Sequence, residues 1–335
     1  MGFWKSNPFV PSWSSFLGQA WSSGPPKLLE TLHVRRPVQV PRGCDLRAAL
    51  PGDFPAIIEF WSRYFSVQRS CRCIVPLAHL QSMVLKGLWE VIIVVRQGTH
   101  EILGSIVRRR IRNLHIREAK WISAGVIDYY CVHPAWRKRG IGNALLDVIH
   151  NTAHASASAS ASASASAPMP PQLIFWEGLH PLYPPLSVGV FWVRKCSSAS
   201  ASASASPTLE KISDSQESLK AWRILQQSYG NQDIWTEEPG EETSIWKTTA
   251  GPVAVWNSFH CTVPHGLSIG VVLGGSVAAI NELANTATWG ILLVPRINPL
   301  THDLGNGWTL DSPFQWIGYN LCVGFISSEF PFIGL

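Results

Sequence analysis

Between Leu88 and Val95 the chain is apolar almost without interruption, and a second apolar run follows from Ile102 to Arg108. The turn-forming Gln97-Gly98-Thr99-His100 separates them, so the pair reads as two strands of a hairpin. Trp121 to Cys131 supplies a third strand. Ile141, Leu145, Val148 and Ile149 then recur at the spacing of one helical face, and the pattern predicts a helix beginning near Ile141. Further on, Leu267 to Ile280 is apolar but diluted by Ser268, Ser276 and several Gly and Ala residues. It falls short of bilayer thickness, which predicts a small-residue strand and helix and no integral membrane segment. Ala155 to Ala167 and Ser198 to Ser206 alternate Ala and Ser, offer no side chain capable of packing, and read as flexible linkers or as stand-ins for other residues. They split the chain into 1–154, 168–197 and 207–335, and the expected division is a first domain over 1–206 and a second over 207–335.

The turn between the third strand and the helix carries the most chemistry. It reads Val132-His133-Pro134-Ala135-Trp136-Arg137-Lys138-Arg139-Gly140-Ile141-Gly142. Glycines allow close backbone approach, the first helical turn presents free amides and the positive end of the helix dipole, and Arg137, Lys138 and Arg139 add countercharge. The spacing matches neither a Walker loop, which needs Lys-Ser/Thr after its last glycine, nor the three-glycine dinucleotide fingerprint. It resembles the pyrophosphate loop of acyl-CoA-dependent N-acyltransferases, and strand, hairpin, strand, loop and helix in this order resemble the core of their GNAT fold. His133 reads as a packing or capping residue beside this loop.

Composition narrows the alternatives. The 335 residues suffice for two cores, and the net charge of +5 is concentrated at Arg108 to Arg117 and Arg137 to Arg139. That clustering fits one polyphosphate ligand; no long basic stripe with interleaved aromatics points to nucleic acid. The seven cysteines are scattered, with no secretory signal before them, and suggest reduced thiols of a cytoplasmic protein. Cys71-Arg72-Cys73 has no second pair or His at zinc spacing, so no metal site is expected. Gly266-Leu267-Ser268-Ile269-Gly270, followed by Glu282 and His302, satisfies the hydrolase nucleophile-elbow pattern, but so short a motif with Pro264 before it reads better as a packed strand and helix.

A wider resemblance emerges from several segments in one order. Phe3-Trp4-Lys5-Ser6-Asn7-Pro8-Phe9-Val10 resembles the Phe-Trp-Lys-Thr-Gln-Pro-Val of N-myristoyltransferases. Asn113-Leu114-His115-Ile116 and Asp128-Tyr129-Tyr130-Cys131-Val132-His133 resemble that family's Asn-Ile-His-Ile and Asn-Phe-Leu-Cys-Val-His. Phe175-Trp176-Glu177-Gly178, Pro184-Pro185, Phe191-Trp192-Val193-Arg194, Ser258-Phe259-His260-Cys261-Thr262-Val263-Pro264 and Phe314-Gln315-Trp316-Ile317-Gly318-Tyr319-Asn320-Leu321 are similar to its later segments.

The resemblance implies a mixed α+β fold of two tandem GNAT-like halves in one compact body, the first holding myristoyl-CoA and the second forming most of a peptide groove. It implies transfer of myristate to the N-terminal glycine amine of a protein by direct attack on the thioester. Phe3, Trp4, Lys5, Val132, Arg137, Lys138, Arg139, Gly140, Ile141 and Gly142 would then hold the acyl-CoA. The backbone N–H groups of Tyr129 and Tyr130 would stabilise the oxyanion, and the terminal carboxylate of Leu335 would act as base. Tyr64, Asp128, Gly178, Phe259, His260 and Tyr319 would line the peptide site, with Tyr319 reading equally as core.

Departures accompany the match. Phe65-Ser66-Val67-Gln68-Arg69-Ser70 stands where the family carries an acidic run, Asp128 where it has Asn, Val193 where it has His, and Gly140 where it has Arg. A different peptide preference is expected, and the alternatives are a catalytically inactive structural or interaction protein derived from the family, or a short-chain N-acetyltransferase.

Overall fold

The computed structural model describes residues 36–65, 71–160, 171–177, 187–196, 209–228, 234–262, 268–285, 289, 291–295, 301 and 303–319. In chain order the strands are β1 (Cys44–Ala48), β2 (Cys71–Cys73), β3 (Trp89–Arg96), β4 (Ile102–Ile116), β5 (Ala119–Val132), β6 (Gln172–Glu177), β7 (Ser187–Lys195), β8 (Glu210–Lys211), β9 (Ile234–Thr236), β10 (Thr243–Thr248), β11 (Gly251–Thr262), β12 (Ser268–Gly274), β13 (Ile291–Pro295) and β14 (Thr309–Tyr319). The helices are α1 (Phe54–Tyr64), α2 (Leu77–Leu85), α3 (Ile141–Ser160), α4 (Ser215–Ser228) and α5 (Val277–Ala284). The expected hairpin, third strand and helix are all present, with β4 and β5 running well beyond their apolar cores.

Strands join edge to edge in the order β1-β3-β4-β5-β6-β14-β7-β13-β12-β11-β10-β8, while β2 pairs with β11 and β9 with β4. The continuous apolar run of β3 follows from cover on both faces. On one side, α3 presents Ile141, Leu145, Leu146 and Ile149 to Ile92, Val94, Leu103, Ile106 and Ile127. On the other, Phe54, Ile57, Phe60 and Trp61 of α1 and Leu80 and Met83 of α2 pack on Val91, Ile93, Val95, Val107, Tyr129 and Cys131. Further along, α5 buries Ala279, Ile280 and Leu283 against Val253, Val255, Val272, Leu292 and Val294, and α4 inserts Trp222, whose indole donates to the Thr236 carbonyl at 3.1 Å.

β12 and α5 settle the Leu267 to Ile280 run as a strand and a helix. Ser268 is the first residue of β12 rather than the tip of a strand-to-helix turn, and Glu282 accepts hydrogen bonds from Thr249 on the surface, so no hydrolase elbow forms; His302 lies outside the described residues. Among the described residues no helix is long and apolar enough to cross a membrane. One expectation is corrected: the first Ala-Ser stretch is helical as far as Ser160. Alanine has the highest helix propensity, and once α3 is nucleated, continuing it is easier than ending it. Residues 161–167 and 198–206 lie outside the described residues.

β5 and β6 are parallel and pair only at Gly125–Gln172, Val126–Leu173 and Ile127–Ile174. A buried polar clamp closes the near end of this pairing. Arg108 is fully buried; its Nε donates to Gln172 Oε1 at 3.1 Å and Nη1 to Glu90 Oε2 at 3.4 Å, while Nη2 has no partner. Burial lowers its pKa against the opposing pull of Glu90. A Cβ on Gly125 would overlap Gln172 Oε1, so only glycine lets the amide reach the guanidinium. Gly125→Ala should therefore lower unfolding free energy by ~1–3 kcal/mol, the cost of a buried donor left unsatisfied. Gly52→Ala, where a Cβ meets nothing within 4 Å, should stay within ~0.5 kcal/mol; equal effects in urea titrations would contradict this role for Gly125.

Candidate active site

The loop after β5 is built from its own backbone restraints. Pro134–Trp136 forms a single 3-10 turn, capped by His133 Nδ1, which accepts from Ala135 N at 3.2 Å. The imidazole also meets the Tyr64 ring edge-on at 4.7 Å, which agrees with its reading as a capping and packing residue. Lys138 and Gly140 take left-handed φ values of 61° and 90°. These reversals deliver the chain into α3, whose first amides have no intrahelical acceptor. Ile141 is buried and anchors the turn in the core, whereas Arg137, Lys138 and Arg139 are exposed. Arg137 Nε donates to the Val132 carbonyl at 3.2 Å, and the Arg139 guanidinium lies 4.8 Å from the centre of the Trp136 ring. Above the first turn of α3 sits the Tyr130 hydroxyl, which a Cβ at position 142 would displace, so Gly142 leaves room for it. Burial raises the Tyr130 phenol to about 12, and it stays neutral.

Immediately before the loop, the β4–β5 ladder slips. Ser105 pairs with Cys131 and Val107 with Asp128, so Tyr129 and Tyr130 together stand opposite Ile106. This bulge places Tyr129 at φ 48°, an unusual conformation for a bulky residue, and its ring is held by Trp61 at 4.4 Å, Phe65 at 5.1 Å and Trp89 at 5.3 Å. The bulge begins just past Ile127, where pairing with β6 stops. The two tyrosine amides expected to face an oxyanion thus lie where the strands part. In the present state the Tyr129 N–H donates to Asp128 Oδ1 at 2.7 Å, so one of them already has an acceptor.

Beneath the bulge lies a charge cluster that the sequence reading missed. Arg109 Nη1 donates to Asp128 Oδ2 at 3.0 Å, and Nη2 binds Glu242 Oε2 closely. Glu242 also accepts from the Trp256 indole at 3.1 Å, and its Oε1 lies 3.4 Å from His79 Nε2. The Arg109 guanidinium is 5.5 Å from the ring centres of both Trp89 and Trp256. Burial alone would raise the Glu242 carboxyl pKa, but Arg109 and the His79 and Trp256 hydrogen bonds outweigh it, and the net shift is downward. For Arg109 burial pulls downward, while the two carboxylates raise it overall. Arg108 and Arg109 were counted with the polyphosphate countercharge; both are instead buried and committed inside the protein. Their position in a strand whose neighbours are Ile106, Val107 and Ile111 was the available signal, because a strand covered on both faces buries adjacent side chains alike.

The remaining expected residues divide into four groups. Tyr64, Asp128, Tyr129, Phe259 and His260 gather on one side of the bulge: Phe259 packs on His79 at 4.6 Å, and Phe65 touches both Tyr129 and His260, the latter at 5.8 Å. Val132 and residues 137–142 gather at the loop. Tyr319 ends β14 opposite Gln172, away from both by register. Phe3, Trp4, Lys5, Gly178 and Leu335 lie outside the described residues. No group of three His, Cys, Asp or Glu that could hold a metal occurs among the described residues.

No protein-family model matches the sequence, and no curated protein matches it either. Solved structures do resemble the fold. N-myristoyltransferase of Saccharomyces cerevisiae with bound myristoyl-CoA superposes with a TM-score of 0.69 at 12% identity, over 97% of this chain and 93% of the yeast chain. A further structure of the yeast enzyme, with myristoyl-CoA and inhibitors, gives 0.69 at 12% identity, over 97% and 91%. The likeness spans nearly the whole chain and shows that the mixed α+β fold is the one the yeast enzyme has.

The buried cluster makes a direct prediction. Arg109→Met leaves Asp128 and Glu242 without their shared cation and should cost ~3–5 kcal/mol of stability at neutral pH. Without Arg109, burial raises the Glu242 pKa above its unfolded value, which favours the folded state below that value and penalises it as pH rises. The gap between variant and native protein should therefore narrow as pH falls from about 7 toward 5; a gap that widens on acidification would refute the assignment.

Proposed function

We propose that this protein is an acyl-CoA-dependent N-acyltransferase acting on the N-terminal glycine amine of a protein or peptide, with myristoyl-CoA as donor. The observation that carries the reading is the juxtaposition of a basic, glycine-turned helix N-terminus with a strand bulge at the place where β5 and β6 separate. The CoA pyrophosphate would accept from the first amides of α3, with Arg137, Lys138 and Arg139 neutralising it. The pantetheine would run along the freed edge of β5, bringing the thioester into the gap. As the amine attacks, charge grows on the carbonyl oxygen, and the backbone N–H groups of Tyr130 and, once released by Asp128, Tyr129 would stabilise it. The tetrahedral species collapses with loss of the CoA thiolate. A fully buried myristoyl chain is worth up to ~10 kcal/mol at ~0.8 kcal/mol per methylene, enough to make chain length the main selector of the donor.

Within this reading residues 1–206 carry the donor, with Phe3, Trp4 and Lys5 added from the N-terminal segment, and 207–335 supply most of the peptide groove. Tyr64, Gly178 and Phe259 would line that groove, and by the resemblance Leu335 would bring its carboxylate toward the amine. Cys44, Cys73, Cys131, Cys196 and Cys261 are free thiols, as would suit a reducing cytoplasm. The engaged Tyr129 amide favours a second reading, a derivative that binds acyl-CoA without turning it over.

Native protein mixed with acyl-CoAs of graded length and a Gly-initiated peptide separates these readings by mass spectrometry. Acylation of the peptide rising steeply toward myristoyl supports the proposal; acetylation alone marks a short-chain enzyme, and bound but unreacted myristoyl-CoA marks the inactive derivative. Lys138→Glu combined with Arg139→Glu, both exposed, should weaken acyl-CoA binding at least tenfold, ~1.4 kcal/mol or more, without altering thermal unfolding. Unchanged affinity by calorimetry would remove the pyrophosphate from this loop.

A further inference from the structure

Across the β2–β11 ladder, His260 stands directly opposite Cys73, so both side chains lie on the face that looks toward the bulge. Phe65 bridges the imidazole to the Tyr129 ring. The Nε2 atom of His260 is sealed from solvent and has no hydrogen-bond partner. Leaving such an atom unsatisfied is unfavourable, and here it leaves one ring nitrogen unengaged by any protein group. Asp128, the residue that holds the Tyr129 amide, is the charge that acts on this imidazole.

We propose that His260 is the catalytic residue that accepts the proton of the attacking amine, with Asp128 positioning the ammonium beforehand and balancing the imidazolium afterwards. This rests on the acyltransferase reading and assigns to a side chain within the sheet the role that resemblance gives to the Leu335 carboxylate. The step balances: the bound ammonium first loses one proton to solvent, the neutral amine nitrogen then bonds to the thioester carbon as a second proton passes to His260 Nε2, the carbon–sulfur bond breaks, and the CoA thiolate leaves and is protonated from the imidazolium or solvent. In the tautomer protonated at Nδ1, Nε2 carries the lone pair that this needs. Burial depresses the imidazole pKa, outweighing Asp128, so the free base is the resting form at neutral pH. The groups around it are Asp128 from β5 with Arg109 from β4 behind it, the Cys73 thiol from β2, the Tyr129 hydroxyl, and, beyond Phe259, His79 from α2 with Glu242. Burial holds Cys73 and Tyr129 neutral by raising both pKa values. Neither competes for the proton.

Single-turnover acyl transfer by the full chain, preloaded with myristoyl-CoA and started with a Gly-initiated peptide, tests this between about pH 5 and pH 9. In the native protein two ionisations should control the rate, the peptide amine near ~8 and a second group below ~6.5. His260→Gln should lose the lower one and slow transfer by roughly 10²–10⁴, while acyl-CoA affinity stays within about twofold of native. A native profile with the amine ionisation alone, or full-rate transfer by His260→Gln, overturns the assignment and leaves the acyltransferase reading standing. Because the native profile does not depend on the variant, misfolding of His260→Gln cannot shelter the proposal. Absence of transfer by the native protein with any acyl-CoA overturns both readings.

Discussion

Arg109 holds together the strands around the candidate site. One guanidinium joins Asp128 of β5 to Glu242 just before β10, with Trp89 of β3 and Trp256 of β11 on its faces. Strands far apart in the sheet order are thereby fixed to a single cation. Bidentate, always charged and weakly hydrated, Arg is suited to a buried site with two carboxylates in a way that Lys is not. The bulge depends on it as well: Asp128 gives one oxygen to Arg109 and the other to the Tyr129 amide, and so the strained φ of Tyr129 is held from below. Such strain persists only where surroundings over-determine it, and here three aromatic rings and an ion pair do so.

Much of the first half was legible in the sequence because local chemistry determined it. The hairpin of β3 and β4, the β5 strand and the start of α3 follow from apolar period, a Gly-containing turn and a glycine-turned helix entry. The Leu267 to Ile280 stretch was readable for the same reason: Ser276 caps α5 by accepting from Ala279 N at 3.1 Å and ends the preceding strand. What escaped reading was non-local. Nothing near Arg109 in sequence announces Glu242, 133 positions away, as its partner. The first Ala-Ser stretch was misjudged as far as Ser160, because composition without packing side chains suggested a linker, whereas alanine simply prolonged a helix already under way.

The candidate site illustrates the same division. Residues 137–142 were identifiable because glycines and cations in a short loop have a physical meaning alone. That Gly142 leaves room for the Tyr130 hydroxyl, and that His260 faces the bulge across from Cys73, depend on strand register that no local signal specifies. The fold is shared with yeast N-myristoyltransferase at only 12% identity, so one backbone arrangement accommodates very different sequences.

Hydrogen–deuterium exchange with and without myristoyl-CoA bears most directly on whether the gap beside the bulge receives an acyl-CoA. Protection gained at the amides of Tyr130 to Val132 and at Ile141 to Asn143, with α4 and α5 unchanged, is the result this account predicts. Saturating myristoyl-CoA that leaves both segments exchanging as in the free protein would contradict it.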